Sequence, residues 1–165
     1  MRYLMKQKFL CLGDDFTIRD AGGNDAFYVD GRAFSFGDKL SFQTPARQEL
    51  AFIRQKLLSW GPTYEIYRNN QLAAVVKKEL FTFLHCRFSI DVPGPDDLLA
   101  TGDFLDMEYS FTRQGSPVAH VSKRFFSLSD SYGIDTLPNQ DDILILASAV
   151  VIDLVCHPDD RNKHH

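Results

Sequence analysis

The feature that most constrains the fold is an apolar run late in the chain, ILILASAVVIDLVC, at residues 143–156. Only Ser148 and Asp153 are polar among these fourteen residues. As a helix, the run would be apolar on every side, and such a helix has to be surrounded by other parts of the protein. Its length would be roughly 21 Å. This is too short to cross a bilayer and predicts a buried helix without a transmembrane span.

The residues around the run favour a helix. Asn139 can cap its N-terminus, and Asp141 and Asp142 place negative charge in its first turn. Pro158 ends the apolar pattern. The alternative is a central strand, because six of the fourteen residues are β-branched. The capping residues and the length of the run predict the helix.

The preceding part of the chain alternates short runs of aromatic and β-branched residues with polar turns, as an all-β protein would. Clear hairpin turns lie at residues 20–24, 68–71 and 113–116. A weak repeat recurs once per hairpin, in which a short apolar strand is followed by a basic residue and then by an aromatic strand. We call its apolar reference positions the repeat anchors; they are Val29, Ile53, Val75 and Val121. A further unit is expected across residues 96–106. Six hairpins predict about twelve antiparallel strands, and closing them into a barrel removes exposed sheet edges.

Together these patterns predict a mainly β fold, a closed barrel of about twelve antiparallel strands enclosing a central apolar C-terminal helix. The helix would fill a space that is otherwise too wide for the strand side chains alone. With 165 residues, of which 44% are hydrophobic and 13% aromatic, the chain can build one such core. We therefore expect a single domain over residues 1–158 and a short polar tail over residues 159–165.

Charge and cysteine content exclude some functions. The formal net charge of −4 is too acidic for a nucleic-acid-binding domain. Residues 1–90 nevertheless carry a net charge of +4 and residues 91–165 one of −8, which suggests a basic face unless folding interleaves the halves. Three widely spaced cysteines predict free thiols in a reducing compartment. Because the N-terminal segment does not resemble a secretory signal, we expect a cytoplasmic protein.

Several blocks of the sequence resemble a known family. They are MKQKFLCLGDDFTIRDAGGNDAFYVDGRAFSFGDKLSF, ELAFIRQKLLSWGPTYEIY, LAAVVKK and SLSDSYGID before DDILILASAVVID. In this order they resemble the LURP-one-related family of the tubby C-terminal-like superfamily. The resemblance implies a twelve-stranded barrel around a C-terminal helix. It also suggests lipid binding, since relatives include phosphoinositide-binding tubby domains and phospholipid scramblases. The proline- and cysteine-rich scramblase leader is absent here, and no tubby phosphoinositide motif matches, so we do not expect lipid scrambling.

The most regular polar feature is a basic group after each repeat anchor. Its members are Arg32, Arg54, Lys56, Lys77, Lys78, Lys123 and Arg124. If the hairpins are equivalent, these side chains lie at one level of the barrel and could bind lipid phosphates or another anion. The alternative is a solvated outer face whose charges pair with neighbouring acids.

Motifs for catalysis or metal binding are absent from the sequence. It has no GxSxG elbow, no CxxC pair and no glycine-rich phosphate loop. His85 and Cys86 are adjacent, which places them on opposite faces of a strand, and His120 stands alone. The paired aspartates lack the spacing of a calcium loop and suit turns and caps. We therefore predict no catalytic residue, no cofactor and no metal site.

These observations favour a non-enzymatic cytoplasmic domain that binds anionic lipid head groups or a protein partner. Two alternatives stay open: an enzyme whose site is assembled from loops, and a purely structural or interaction protein. A cleft with a perturbed carboxylate or histidine would favour the first, and a large exposed apolar patch the second. Trp60, in the turn LLSWGPTY, would serve such a patch if exposed, but we expect it to pack inside its loop.

Overall fold

Twelve β-strands and one α-helix make up the part of the chain that the computed structural model describes, residues 1–6, 16–33, 37–82, 85–124 and 131–157. The strands are β1 (Arg2–Lys6), β2 (Phe16–Asp20), β3 (Asp25–Ala33), β4 (Asp38–Gln43), β5 (Glu49–Gln55), β6 (Thr63–Arg68), β7 (Gln71–Thr82), β8 (His85–Asp91), β9 (Leu98–Asp103), β10 (Glu108–Arg113), β11 (Ser116–Ser122) and β12 (Ser131–Thr136), and the helix is α1 (Asp142–Cys156). The predicted tail, residues 159–165, lies outside the described residues, as do Pro158 and Cys11.

Each strand pairs antiparallel with its neighbours in sequence, and β1 pairs with β12 to close the barrel. Arg2 lies opposite Asp135 at this seam and Lys6 opposite Ser131. The Arg2 Nε atom donates to Asp135 Oδ1 at 2.6 Å, and this hydrogen bond holds the pKa of Asp135 below its ordinary value. The closed twelve-stranded barrel and its predicted hairpins are confirmed.

Helix α1 lies inside the barrel, as the apolar run predicted. All ten residues from Leu144 to Asp153 are buried. They pack with inward-facing strand residues, the largest of which include Phe42, Phe88 and Phe111. Within the described residues, no helix has both the length and the apolar character that crossing a bilayer requires.

Asp141, not the predicted Asn139, caps the helix. Its Oδ1 accepts a hydrogen bond from the Leu144 amide at 3.2 Å. Asn139 has a left-handed φ of 63° in the turn before the helix, a conformation that asparagine adopts more readily than most residues. The prediction was wrong by two residues, since both side chains are good N-caps.

The four repeat anchors do not all face the core. Val29, Ile53 and Val121 are fully buried, whereas Val75 is half-buried and its neighbour Val76 faces the core. The run LAAVV is apolar on both faces of β7, so its pattern does not show which valine points inward.

The two ends of the barrel differ because alternate hairpin turns of an antiparallel barrel lie at opposite ends. At the helix-entry end, where α1 begins, Arg68 of the β6–β7 turn bonds Asp141 at 2.6 Å. At the helix-exit end, where α1 finishes, His157 Nε2 lies 3.1 Å from the Leu105 carbonyl oxygen in the β9–β10 turn. The β5–β6 loop, residues 56–62, also lies at the helix-exit end.

Shortening a buried side chain of the enclosed helix should destabilise the protein strongly. We expect Leu146→Ala to lower the free energy of unfolding by about 2–5 kcal/mol, because Leu146 is fully buried and leaves a cavity. Leu137→Ala is the matched control, since Leu137 is exposed, and should change it by less than about 0.5 kcal/mol. Urea unfolding followed by circular dichroism measures both variants. Equal unfolding midpoints would contradict a helix held in the core.

Candidate functional site

Lys56 and Lys77 lie in one row on the outer wall near the helix-exit end. The Lys56 amide donates to the Thr63 carbonyl at 2.8 Å, and Thr63 lies opposite Lys77 in the β6–β7 ladder. Two strand spacings separate the two lysine backbones, about 10 Å. Both residues are exposed, and neither forms a salt bridge with an acidic residue of the described chain. We call Lys56 and Lys77 the lysine pair.

Arg54, the next predicted residue, is already engaged by its neighbours. Its Nη2 donates to the Tyr67 hydroxyl at 2.8 Å and lies 3.6 Å from Glu65 Oε1. The Tyr67 hydroxyl donates in turn to Glu65, and this hydrogen bond raises the pKa of Tyr67. Arg54 therefore belongs to a neutralised network on the wall, with much less free charge than the lysine pair.

Lys78 and Lys123 face the last turn of α1. The charge of Lys78 acts on the thiol of Cys156, whose pKa burial raises to about 12. Lys123 acts on both Asp153 and His157. Positive charge near the C-terminus of a helix stabilises its dipole. These two lysines therefore contribute to the fold at the place where the helix leaves the core.

Arg124 extends into solvent, with its side chain 83% exposed, and its Nε lies 3.7 Å from Glu108 Oε1. Glu108 also accepts hydrogen bonds from the Ser122 hydroxyl at 2.5 Å and the Lys123 amide at 3.2 Å. Arg32 belongs to β3, and its side chain lies outside the described residues.

The basic residues thus do not share one environment. β7 is twelve residues long with bulges in both of its ladders, and the β5–β6 connection is a seven-residue loop, so the hairpins are not equivalent. Equal spacing in the sequence consequently places these side chains on different faces. The structure places Lys56 and Lys77 in one row, and it places Lys78 and Lys123 each within electrostatic reach of the last turn of α1.

The β5–β6 loop exposes large apolar side chains beside the lysine pair. Trp60 is 96% exposed and Leu58 is 95% exposed. The expectation that Trp60 packs inside its loop was therefore wrong. The loop closes instead through its own polar groups: the Ser59 hydroxyl lies 3.1 Å from the Lys56 carbonyl and 2.9 Å from that of Gly61. Seven residues held this tightly leave no interior in which an indole could pack.

A carboxyl–imidazole pair lies where the helix ends, and its carboxyl group is buried. Asp153 is 3% exposed, and its Oδ1 lies 2.9 Å from His157 Nδ1. The other ring nitrogen of His157 faces the Leu105 carbonyl. Both partners are acceptors when Asp153 is ionised, and only a doubly protonated imidazole donates to both. The sequence signal for this pair was an aspartate in the apolar run with a histidine four residues later.

The surroundings of this pair favour the protonated form of both groups. Burial raises the pKa of Asp153, while its hydrogen bond to His157 opposes that rise. The same hydrogen bond raises the pKa of His157. Tyr109 of β10 and Tyr132 of β12 also lie within reach of the Asp153 charge, and burial raises the pKa of both hydroxyls.

Stability should therefore fall as the pH rises through the neutral range. The native state holds the His157 proton more tightly than the unfolded chain, so this stabilisation is complete below about pH 6.5 and is lost as the pH passes the raised pKa. Asp153→Asn removes the carboxylate that raises the pKa of His157 and should flatten the decline. Unfolding midpoints measured across this range test it, with the exposed His120→Gln as control. Parallel curves for wild type and Asp153→Asn would contradict the assignment.

The features expected of an enzyme site lie in different places. An open groove of about 670 Å³ crosses the outer wall and is lined by Glu49, Leu50, Ala51, Phe52, Arg54, Tyr67, Asn69 and Asn70. The described residues of this lining include no histidine or cysteine, whereas the perturbed Asp153 is enclosed at the helix end. Among the described residues, no group of three or more His, Cys, Asp or Glu side chains is placed to hold a metal ion.

The architecture, a closed antiparallel barrel around one C-terminal helix, defines the class of domain, and comparison with known proteins identifies the family. The family model described as LURP-one-related matches residues 1–153, and the chain belongs to this family. The uncharacterised protein YxjI of Bacillus subtilis is 33% identical over 156 residues, which cover 94% of each chain.

A crystal structure of an Arabidopsis thaliana protein has the same fold. It superimposes with a TM-score of 0.65 at 19% sequence identity and covers 92% of this chain and 88% of that one. At this level of identity the likeness concerns the fold alone.

Proposed function

We propose that this domain is a non-enzymatic module that binds anionic phospholipid head groups at a membrane surface through the lysine pair. The observation that carries the proposal is the placement of Lys56 and Lys77, two exposed lysines in one row without a salt bridge to a described acid. Lysines near an anionic bilayer each contribute about 1 kcal/mol to binding. Phosphate head groups, including those of phosphoinositides, supply the complementary charge.

The charges at the two ends of the barrel support one orientation. At the helix-entry end, Asp141 pairs with Arg68, and Asp96, Asp97 and Asp142 have no salt bridge among the described residues. These three carboxylates disfavour contact with an anionic surface, whereas the lysine pair favours it. At the helix-exit end, Asp103, Asp106 and Glu108 belong to the β9–β10 hairpin, so the side formed by β5, β6 and β7 would face the membrane.

The separation of the groove from the perturbed carboxylate supports binding over catalysis. A loop-assembled enzyme site needs an accessible cleft and a tuned acid or base in the same place. Asp153 and His157 bond to each other at the end of the helix, away from the groove. The ionisable side chains that line the groove are Arg54 and Tyr67, which bond to each other, and the exposed Glu49. The proposal includes a reducing, cytoplasmic location, which the free cysteines Cys86 and Cys156 support.

Neutralising the lysine pair should weaken membrane binding. We expect Lys56→Gln with Lys77→Gln to lower affinity for phosphatidylserine-containing vesicles about ten- to thirtyfold, from about 1 kcal/mol per lysine. Vesicle flotation measures this at low and physiological salt, since screening should weaken wild-type binding. Phosphoinositide-containing vesicles and pure phosphatidylcholine vesicles test the dependence on head-group charge.

The matched control removes the same charge elsewhere. Arg19 and Arg47 are exposed at the helix-entry end, and Arg19→Gln with Arg47→Gln should leave flotation close to that of wild type. Equal losses in both double variants would mean that net charge alone matters and would contradict a defined site. Absence of wild-type binding to every anionic vesicle would refute the proposed function.

A further inference from the structure

We propose that the β5–β6 loop is a membrane anchor that inserts Trp60 and Leu58 into the interfacial layer of the bilayer. The inference rests on the proposed function and adds to it the part of the protein that enters the lipid. It turns a purely electrostatic contact into one with an apolar component, held in place by the lysine pair at the base of the loop.

Exposed apolar side chains are concentrated at the end of the barrel that carries this loop. Among the described residues, eight large hydrophobic side chains are exposed, and five of them lie at or next to the helix-exit end: Leu57, Leu58, Trp60, Leu80 and Leu105. A single exposed leucine is normal on any protein surface. An almost fully exposed tryptophan grouped with leucines indicates a surface that is covered in use.

The loop is preformed for this role. Two backbone hydrogen bonds fix its ends. The Lys56 amide donates to the Thr63 carbonyl at 2.8 Å, and the Lys78 amide donates to the Pro62 carbonyl at 3.1 Å. Gly61 has a left-handed φ of 81°, which turns the chain sharply after Trp60. Since the backbone is already ordered, inserting the two side chains loses little conformational entropy.

Leu57 secures the side of the same loop. It lies so close to Gly37 that a Cβ atom built there would be 2.8 Å from Leu57 Cδ2. Leu57 therefore packs on the backbone between β3 and β4, while Leu58 and Trp60 extend away from the barrel. The loop presents these two side chains outward on a fixed base.

The cations around the tip favour a bilayer over a protein partner. Protein interfaces are enriched in tryptophan and arginine but depleted in lysine. Here Lys56 precedes the tip directly and Lys77 lies one strand away from the loop. Lysine stems can lie along apolar surface while the ammonium groups reach lipid phosphates, and tryptophan prefers the interface between head groups and acyl chains.

Trp60 is the only tryptophan in the chain, so its fluorescence reports on this loop alone. On vesicles of phosphatidylserine in phosphatidylcholine, we expect a blue shift, protection from iodide and quenching by brominated acyl chains. Inositol hexakisphosphate, a soluble polyanion, should bind the lysine pair without any blue shift. Emission and iodide quenching unchanged on vesicles to which the protein is bound would overturn the insertion.

Variants separate the anchor from the charges. We expect Trp60→Ala to weaken flotation with phosphatidylserine vesicles at least tenfold, equivalent to about 1.4 kcal/mol, and Trp60→Phe to lose less. Binding of inositol hexakisphosphate should stay unchanged in both variants. The exposed Leu137→Ala, at the helix-entry end, is the matched control and should float like wild type.

The outcomes distinguish the two proposals. Binding to anionic vesicles that depends on the lysine pair but not on Trp60 would overturn the anchor and leave the proposed function standing. Absence of binding to any vesicle would overturn both. Protection of Trp60 from iodide that rises with protein concentration without vesicles would show that a second copy of this chain covers the loop, and would likewise overturn membrane insertion.

Discussion

The burial of one helix that is apolar on every side is the constraint on which the rest of the structure depends. A helix on a surface would leave half of such a sequence in water, and a two-layer packing would cover only one more face. A closed sheet covers all of it. The inward residues of twelve strands meet the ten buried residues from Leu144 to Asp153, and the pairing of β1 with β12 completes the enclosure.

Filling the barrel with its own helix moves function to the outside. In barrels with a free interior, ligands enter the central space, but here the helix occupies it. Binding groups have to lie on the wall, in the turns or where the helix enters and leaves. The two ends of the barrel differ because the helix dipole has a direction. At the positive start of the helix, Asp141 caps the first turn and pairs with Arg68. At the negative C-terminal end, the positive charges of Lys78 and Lys123 lie nearby.

The sequence predicted the barrel, the enclosed helix and the main hairpins because these follow from long patterns in which many residues agree. The sequence did not predict features that depend on the surroundings of a single residue. Val75 and Val76 are chemically identical, and only pairing with the neighbouring strands selects the one facing the core. Trp60 is large and apolar, so composition predicts burial, whereas the hydrogen bonds of Ser59 close its loop without it. The predicted basic residues do not lie at one level of the barrel, because the hairpins that carry them differ in length.

A lysine or arginine is available to a ligand only if the fold does not already use its charge, and this criterion ranks the six predicted basic residues whose side chains the structure describes, all but Arg32. Arg54 is bound by Tyr67 and Glu65. Lys78 and Lys123 offset the negative end of a helix that carries the buried Asp153, and removing them would cost stability before it affected any ligand. Arg124 lies near Glu108. Lys56 and Lys77 form no salt bridge with a described acid, although the charge of Lys77 opposes the rise in the pKa of Asp91, and both lie beside the loop whose apolar residues the core also leaves unused. Residues that contribute least to folding thus coincide in one place, which is the physical reason to look for binding there.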